Sequence, residues 1–305
     1  VDVRQLEYFR EVAETGGFSR AANRIRISQS ALSRQIMLLE EELGAKLLER
    51  HARGVHLTEV GRLLYERVDF LLRHIANMRE EIIDRRDWPT GALHVGIPRS
   101  MRTLLSKPAI ARFMQDYPGV FFRFVEDTSA LVRDKLLRGE LDLGLLSIHE
   151  PASALESRPL LKEQMFLVGP PSAGLSLDRA VELRSLAELK LVGLSRPASL
   201  RVALEKAASA QDVALNIRAE INATIALDLV SQGLGYTVYS YCGLHDHLVV
   251  GRISAAPITG FDIEWMLASS KERPLTQAIK IFEGMLREQA ARAIGSGDWR
   301  TAVLV

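Results

Sequence analysis

The 305-residue chain has little of what marks several common protein classes. It holds one cysteine, Cys242, so no intramolecular disulfide can form, and a reducing cytoplasm suits it. No run of about 18 apolar residues is present, so no membrane-spanning helix is expected. The opening VDVRQLEYFREVAE mixes charged and apolar residues like an amphipathic helix. It lacks the apolar core of about 7–15 residues that a secretory signal needs. An excess of one charge is also missing: 39 Lys+Arg face 38 Asp+Glu. That argues against a polybasic coat for nucleic acid or membrane but leaves room for a local basic face. Nucleophile-elbow, P-loop, dinucleotide-binding and zinc-protease motifs are all absent, so no catalytic residue and no resident cofactor is expected. Cys242, His245 and His247 in CGLHDHL have no standard zinc spacing and no second cluster. They read as polar loop residues, and no metal is expected.

What is present begins with charge. Between Thr15 and Leu39 stand Arg20, Arg24, Arg26 and Arg34, with no acidic residue. Leu6, Phe9, Val12 and Ala13 share one helical face, and the helix should stop at the TGG of 15–17. A second helix follows from Phe18, with Ser19 as its N-cap. After a turn at 26–28, Ser28 should cap a third helix. Its Leu32, Ile36, Leu39 and Leu43 form one apolar stripe. Ser30, Ser33, Arg34 and Met37 point the other way, and Gln29 reaches outward at the helix start. Small residues permit close approach, and the free N–H groups of a helix start favour phosphate. Gln pairs with adenine and Arg with guanine in the major groove. The pattern is that of a DNA-reading helix, or of an ordinary solvated face. LLERHARGVHLT predicts strands at 47–50 and 55–58 around a basic tip, either a wing whose Arg53 reaches phosphate or minor groove, or a plain surface hairpin.

These residues carry a resemblance. AA at 21–22, SQ at 28–29, LSRQI at 32–36, LEEELG at 39–44, LLER at 47–50 and LTEVG at 57–61 are ordered and ungapped. The segment resembles the N-terminal domain of LysR-type transcriptional regulators. Ser30 departs from it, standing where many members have proline. The resemblance implies that Ser28, Gln29, Ser30, Ser33, Arg34 and Arg53 meet DNA, while Arg20 and Arg24 touch phosphate or are merely solvated. Thr58 should cap a long helix running to about Arg86. Its Leu64, Val68, Leu71, Ile75, Met78 and Ile82 are spaced 4, 3, 4, 3, 4, an a/d seam that packs on the chain's own core or on a second copy. In the family the corresponding helix pairs two subunits.

The DWPTG of 87–91 reads as a hinge. Beyond it, strands at 92–97, 120–125 and 142–147 alternate with helices, which means βαβ units and a mostly parallel sheet. A second series has strands at 164–169, 191–194, 216–221 and 235–239. A strand at 264–269 and a helix near 275–293 return the chain to the first lobe. This segment is similar to the family's effector domain, which shares the fold of periplasmic binding proteins. The expected class is therefore α/β with an N-terminal all-α winged helix-turn-helix (1–58), a long linker helix (59–87) and a C-terminal two-lobed periplasmic-binding-protein-like effector domain (88–305). Lobe I takes about 91–161 and 268–293, and lobe II about 162–267. By the resemblance, Ser100, Met101, Arg102, Thr128 and Ser147 face the cleft from one side. Ser195, Ser199, Arg201 and Asn222 face it from the other. Hydroxyls, arginines and helix starts together favour an anion such as a small carboxylate.

The resemblance implies double-stranded promoter DNA, a second copy of the chain (dimer and tetramer), RNA polymerase and a small-molecule co-inducer as partners. Two other readings remain. One is a cytoplasmic α/β binder or enzyme whose N-terminal helices serve only assembly. The other is a solute-binding protein, which the missing signal disfavours.

Overall fold

Asp2 starts the first helix: its carboxylate accepts from the Arg4 N–H at 3.1 Å while the Gln5 side chain takes the Asp2 N–H at 3.0 Å, a capping box. The structure, a computed structural model, describes residues 1–51, 54–83, 89–147, 153–196, 198–273 and 275–305. For residues 50, 69, 70, 73, 74 and 76–83 it describes the backbone alone. The chain divides into two compact units, Val1–Asp87 and Trp88–Val305. No described helix is long and apolar enough to cross a membrane.

In the first unit α1 (Val3–Thr15) buries Leu6, Phe9 and Val12 and ends at Gly16, whose φ of +63° suits glycine. Helix α2 (Phe18–Ile25) starts two residues earlier than Ser19 would allow as cap. Phe18 is itself buried in the core, which brings it into the first turn and leaves Gly17 at the cap position. Helix α3 (Gln29–Leu43) is capped as expected, with Ser28 Oγ accepting from the Ala31 N–H at 3.2 Å. Leu32, Ile36 and Leu39 are buried, but Leu43 is exposed and Glu40 is buried instead. Glu40 turns inward because it accepts the Leu47 and Leu48 N–H groups, at 2.9 and 3.2 Å, and pairs with Lys46 at 2.7 Å. Strands β1 (Leu48–His51) and β2 (Gly54–Leu57) form the antiparallel wing, in which Leu48 faces Leu57. Arg53 lies outside the described residues.

Helix α4 (Glu59–Ile83) starts where the Gly61 N–H reaches Thr58 Oγ1 at 2.9 Å. A Cβ on Gly61 would overlap the Leu47 carbonyl, so glycine is required there by space. The expected seam divides. Val68 is fully buried in the unit's own core, joined by Leu72, and Leu64 packs against it. An α-helical rather than a supercoiled period turns these positions onto α1. Val68 is therefore not free to meet a second copy, a correction for that position, while Leu64 stays half-buried. Leu71 is exposed, as are Val60 and Leu63, and Ile75 is half-buried. The Met78 and Ile82 side chains lie outside the described set.

The second unit opens with β3 (Gly91–Ile97), a 3₁₀ turn (Arg99–Met101) and a π-helical turn (Arg102–Ser106), α5 (Lys107–Asp116), β4 (Val120–Glu126), α6 (Ser129–Leu137) and β5 (Leu143–Ser147). Strand β3 runs parallel to both β4 and β5. Two strands then prove much longer than their apolar cores suggested: β6 (Leu155–Gly169) and, after an excursion, β10 (Ser254–Ser270). They pair antiparallel along almost their whole length and join the lobes. Polar residues such as Lys162 and Asp262, paired across the ladder at 3.3 Å, interrupt the apolar pattern that marks a strand in sequence.

Between them lie β7 (Leu191–Leu194), α7 (Ser199–Ala210), β8 (Ile217–Ile221), α8 (Ala223–Ser231), β9 (Thr237–Ser240) and α9 (Tyr241–Val249). Strands β7 and β8 form a parallel pair, and β9 adds to β6. Helix α9 corrects the loop expected around Cys242, His245 and His247. Cys242 is fully buried, and its sulfur accepts the Leu104 N–H at 3.4 Å. No cluster of metal-ligating side chains occurs among the described residues. Helix α10 (Gln277–Gly295) returns to the first lobe, and an unexpected β11 (Ala302–Leu304) adds to the free edge of β6. Glu163, wholly buried beside it, accepts the Trp265 and Trp299 indole N–H groups at 2.8 and 2.9 Å.

Candidate functional site

Each unit carries one candidate. On the first, Ser28 ends its turn in an extended conformation and directs α3 outward. Gln29, Ser30 and Arg34 are exposed and Ser33 is half-buried. Ser30 Oγ lies 3.2 Å from Ser28 Oγ, so both hydroxyls stay near the helix start. No acidic residue stands in the first turn of α3, and Arg34 makes no ion pair or hydrogen bond with any described residue. The nearest carboxyl of the helix core, Glu40, faces inward. Burial alone would raise its pKa, but hydrogen bonds from Lys46 and the Leu47 and Leu48 N–H groups outweigh this and hold it below the ordinary value. Glu40 thus ties the wing to α3 and presents no charge outward.

Two of the other arginines behave differently. Arg24 pairs with Glu11 at 2.8 Å and Glu14 at 3.1 Å. Its charge is compensated within the unit, which favours the solvated reading over the phosphate one. Arg20 donates to the Thr15 and Gly16 carbonyls at 2.7 and 2.9 Å. It fastens the end of α1 and keeps an unneutralised charge beside the wing.

In the second unit a cavity of about 610 Å³ lies between the lobes. Its floor is the middle of the crossover strands: Met165, Ile263 and Trp265. Three helix starts reach its wall. At α6, Thr128 Oγ1 accepts from the Leu131 N–H at 3.4 Å; at α8, Asn222 Oδ1 accepts from the Ile225 N–H at 3.0 Å. At α7 the cap position is Ala198 and no side chain closes the first turn, so its N–H groups stay open. Ser129 and Ser147 hydroxyls sit 3.1 Å apart. Arg99 reaches Glu126 at 3.4 Å and, across the cleft, Thr224 Oγ1 at 3.4 Å.

Of the residues expected in the cleft, Ser100, Thr128, Ser147, Ser199 and Asn222 line this cavity. Four do not. Met101 is fully buried in the apolar core beneath it. Arg102 points out and pairs with Glu126 at 3.7 Å. Ser195 is exposed outside the wall, where its carbonyl takes the Ala198 N–H at 3.1 Å. Arg201 is buried behind β7, held by Glu205 at 2.7 Å and Glu220 at 3.1 Å. A guanidinium placed four residues before a glutamate on a helix is readily captured by it. Sequence reasoning passed over Arg99, Thr224, Tyr239 and Trp265, which also line the cavity. The rule that strand ends face the cleft points to Tyr239, near the end of β9, but its strand reads simply as apolar. Burial raises the Tyr239 hydroxyl well above its ordinary pKa, with Arg99 opposing, so it remains a protonated donor.

Family models match segments in both units. Residues 3–62 match the family model described as bacterial regulatory helix-turn-helix protein, lysR family, and residues 86–291 match the LysR substrate binding domain. The HTH-type transcriptional regulator BbuR of Bordetella bronchiseptica is 28% identical over 98% of this chain and 93% of its own. The nitrogen assimilation regulatory protein nac of Klebsiella aerogenes is 28% identical, covering 92% of this chain and 93% of its own. Among solved structures, full-length OxyR from Pseudomonas aeruginosa superimposes with a TM-score of 0.71 at 23% identity, over 94% of this chain and 95% of that one. CbnR in complex with its target DNA superimposes with a TM-score of 0.66 at 22% identity, over 95% of this chain and all of that one. The chain therefore belongs to the LysR family of bacterial helix-turn-helix transcriptional regulators.

Proposed function

We propose that the chain binds promoter DNA as a homo-oligomer and that a small organic anion in the inter-lobe cavity sets its regulatory state. The observation that carries the DNA half is the uncompensated outer face of α3: Gln29, Ser30 and Arg34 exposed, with no acid among them. Gln29 and Arg34 supply the two side chains best suited to base edges, Ser30 and Ser33 permit close approach, and Arg20 flanks the groove. Ser28 serves as the cap that positions them.

One reading helix covers too few bases for a specific site, so a second copy is needed. Exposed Val60, Leu63 and Leu71 on α4 offer an apolar face for it. Three helix starts and the hydroxyls of Ser100 and Ser199 support an anionic ligand, and Trp265, Ile263 and Met165 support an apolar body. Such a ligand shifts regulation only if it binds two arrangements of the oligomer unequally. The reading gives the chain no catalytic step and no resident cofactor, places it in the cytoplasm, and leaves RNA polymerase as a contact at the promoter.

Footprinting on the DNA upstream of its own gene and the divergent neighbour, repeated with candidate metabolites, tests the proposal. Protection that falls steeply with salt and changes with one metabolite is the expected result. Absence of protection at low salt would overturn it.

A further inference from the structure

We propose that Tyr239 is the specificity-determining residue of the cavity, its hydroxyl acting with that of Ser100 as the donor pair that reads the oxygens of the bound anion. This rests on the effector reading above and adds the groups that perform it. Tyr239 is 5% exposed and Ser100 8% exposed, and both line the cavity. Neither hydroxyl has a hydrogen-bond partner among the described residues. The neighbouring groups are satisfied: the Ser100 carbonyl accepts from the Ser240 hydroxyl at 3.4 Å, and Ser129 and Ser147 bond each other. Two donors at the cavity wall with no protein acceptor are available to whatever occupies the cavity.

Their positions are held. Gly243, within α9, lies against both residues: a Cβ there would overlap the Tyr239 ring edge and press on the Ser100 Cα. Its backbone is not in the left-handed region, so glycine is demanded by the ring and not by the turn. The ring is thus lodged between α9 and the cavity, with little freedom to turn its hydroxyl elsewhere. The donor state is also fixed, because burial keeps the phenol protonated far above neutral pH. Arg99 lies close enough to act on that hydroxyl, but Glu126 and Thr224 already engage its guanidinium. The neutral hydroxyls therefore hold the readout. A site built around such donors rejects analogues that lack the acceptor far better than an apolar wall would.

The test is titration calorimetry on the full chain with benzoate, succinate and their methyl esters as probes, at up to millimolar concentration. At least one acid should bind more tightly than its ester. Tyr239→Phe should weaken that acid by roughly 5–150-fold, the range expected when one buried donor is removed, and should narrow the gap between acid and ester. Gly243→Ala, which keeps the hydroxyl but displaces the ring, should weaken the same acid. In the ligand-free protein Tyr239→Phe should leave the melting temperature little changed, since no protein acceptor is lost; a purely structural hydroxyl would lower it. Equal affinity of wild type and Tyr239→Phe for a bound acid would overturn the proposal while the effector reading stands. Binding of no acid, or of esters as tightly as acids, would overturn the donor-pair assignment, and the footprinting would then judge the effector reading separately.

Discussion

The two units handle charge in opposite ways. On α3, Arg34 stands exposed with no described partner, at a helix start without a carboxyl. Around the cavity every arginine near the wall is engaged: Arg99 and Arg102 by Glu126, Arg201 by Glu205 and Glu220. What stays unpartnered there is neutral, the hydroxyls of Ser100 and Tyr239 and the open first turn of α7. A surface meant for a polyanion keeps its cations free, because DNA supplies the compensating charge along its length. A cavity meant for one small ligand neutralises its own charges and leaves a few directional donors, so that selectivity comes from geometry.

If this contrast is real, the two units should fail independently. Phe9→Ala removes the ring at the centre of the first unit's core, fully buried among Leu32 and Leu39. It should cost that unit about 3–5 kcal/mol and abolish DNA binding, read by denaturant titration and footprinting. Ligand binding in the second unit should persist; its loss would mean that the units are not separable.

A pH titration probes the other side. Glu163 is wholly buried, and burial raises its pKa from 4.5 to about 7 against the pull of the Trp299 and Trp265 hydrogen bonds. The folded state then holds a proton that the unfolded state releases, so stability falls as pH rises through this window and levels off above about 7. The loss from this group should be about 3 kcal/mol. It should vanish in Glu163→Gln, measured by denaturant unfolding at a series of pH values across that window. An unchanged slope in that variant would remove Glu163 as the cause.

On the first unit, Leu71→Lys should disrupt pairing of copies. It forfeits up to about 1.5–3 kcal/mol of apolar burial per copy and brings two ammonium groups together, so sedimentation should show more monomer and footprinting less protection. A dimer unaffected by Leu71→Lys would shift pairing to another face. The smallest effect belongs to Arg24→Ala. Its partners are Glu11 and Glu14 and not DNA, so stability should change by less than about 1 kcal/mol and DNA affinity hardly at all.

Much of this was legible in the sequence for definite reasons. Short-range patterns identified α1, α3 and the wing: a stripe of Leu32, Ile36 and Leu39 and a serine before it leave few alternatives. The failures came from contacts distant in sequence. Glu40 looked like an exposed acid until the Leu47 and Leu48 N–H groups claimed it. Val68 fitted a seam between copies until α1 covered it. Arg201 suited an anion site until Glu220, on a neighbouring strand, captured it. Helix α9 was hidden because CGLHDHL is too short and too mixed to show a period. Tyr239 could be placed on a strand, but only the packing of Gly243 against its ring shows how that ring is held.

The account stands most directly on Arg34. Fluorescence anisotropy on the footprinted operator should be measured for wild type, Arg34→Ala and Arg24→Ala, beside a scrambled duplex of equal length. Arg34→Ala should lose about 1–3 kcal/mol on the operator and much less on the scrambled duplex, while Arg24→Ala follows wild type on both. Equal operator affinity for wild type and Arg34→Ala would contradict the assignment of α3 as the reading helix.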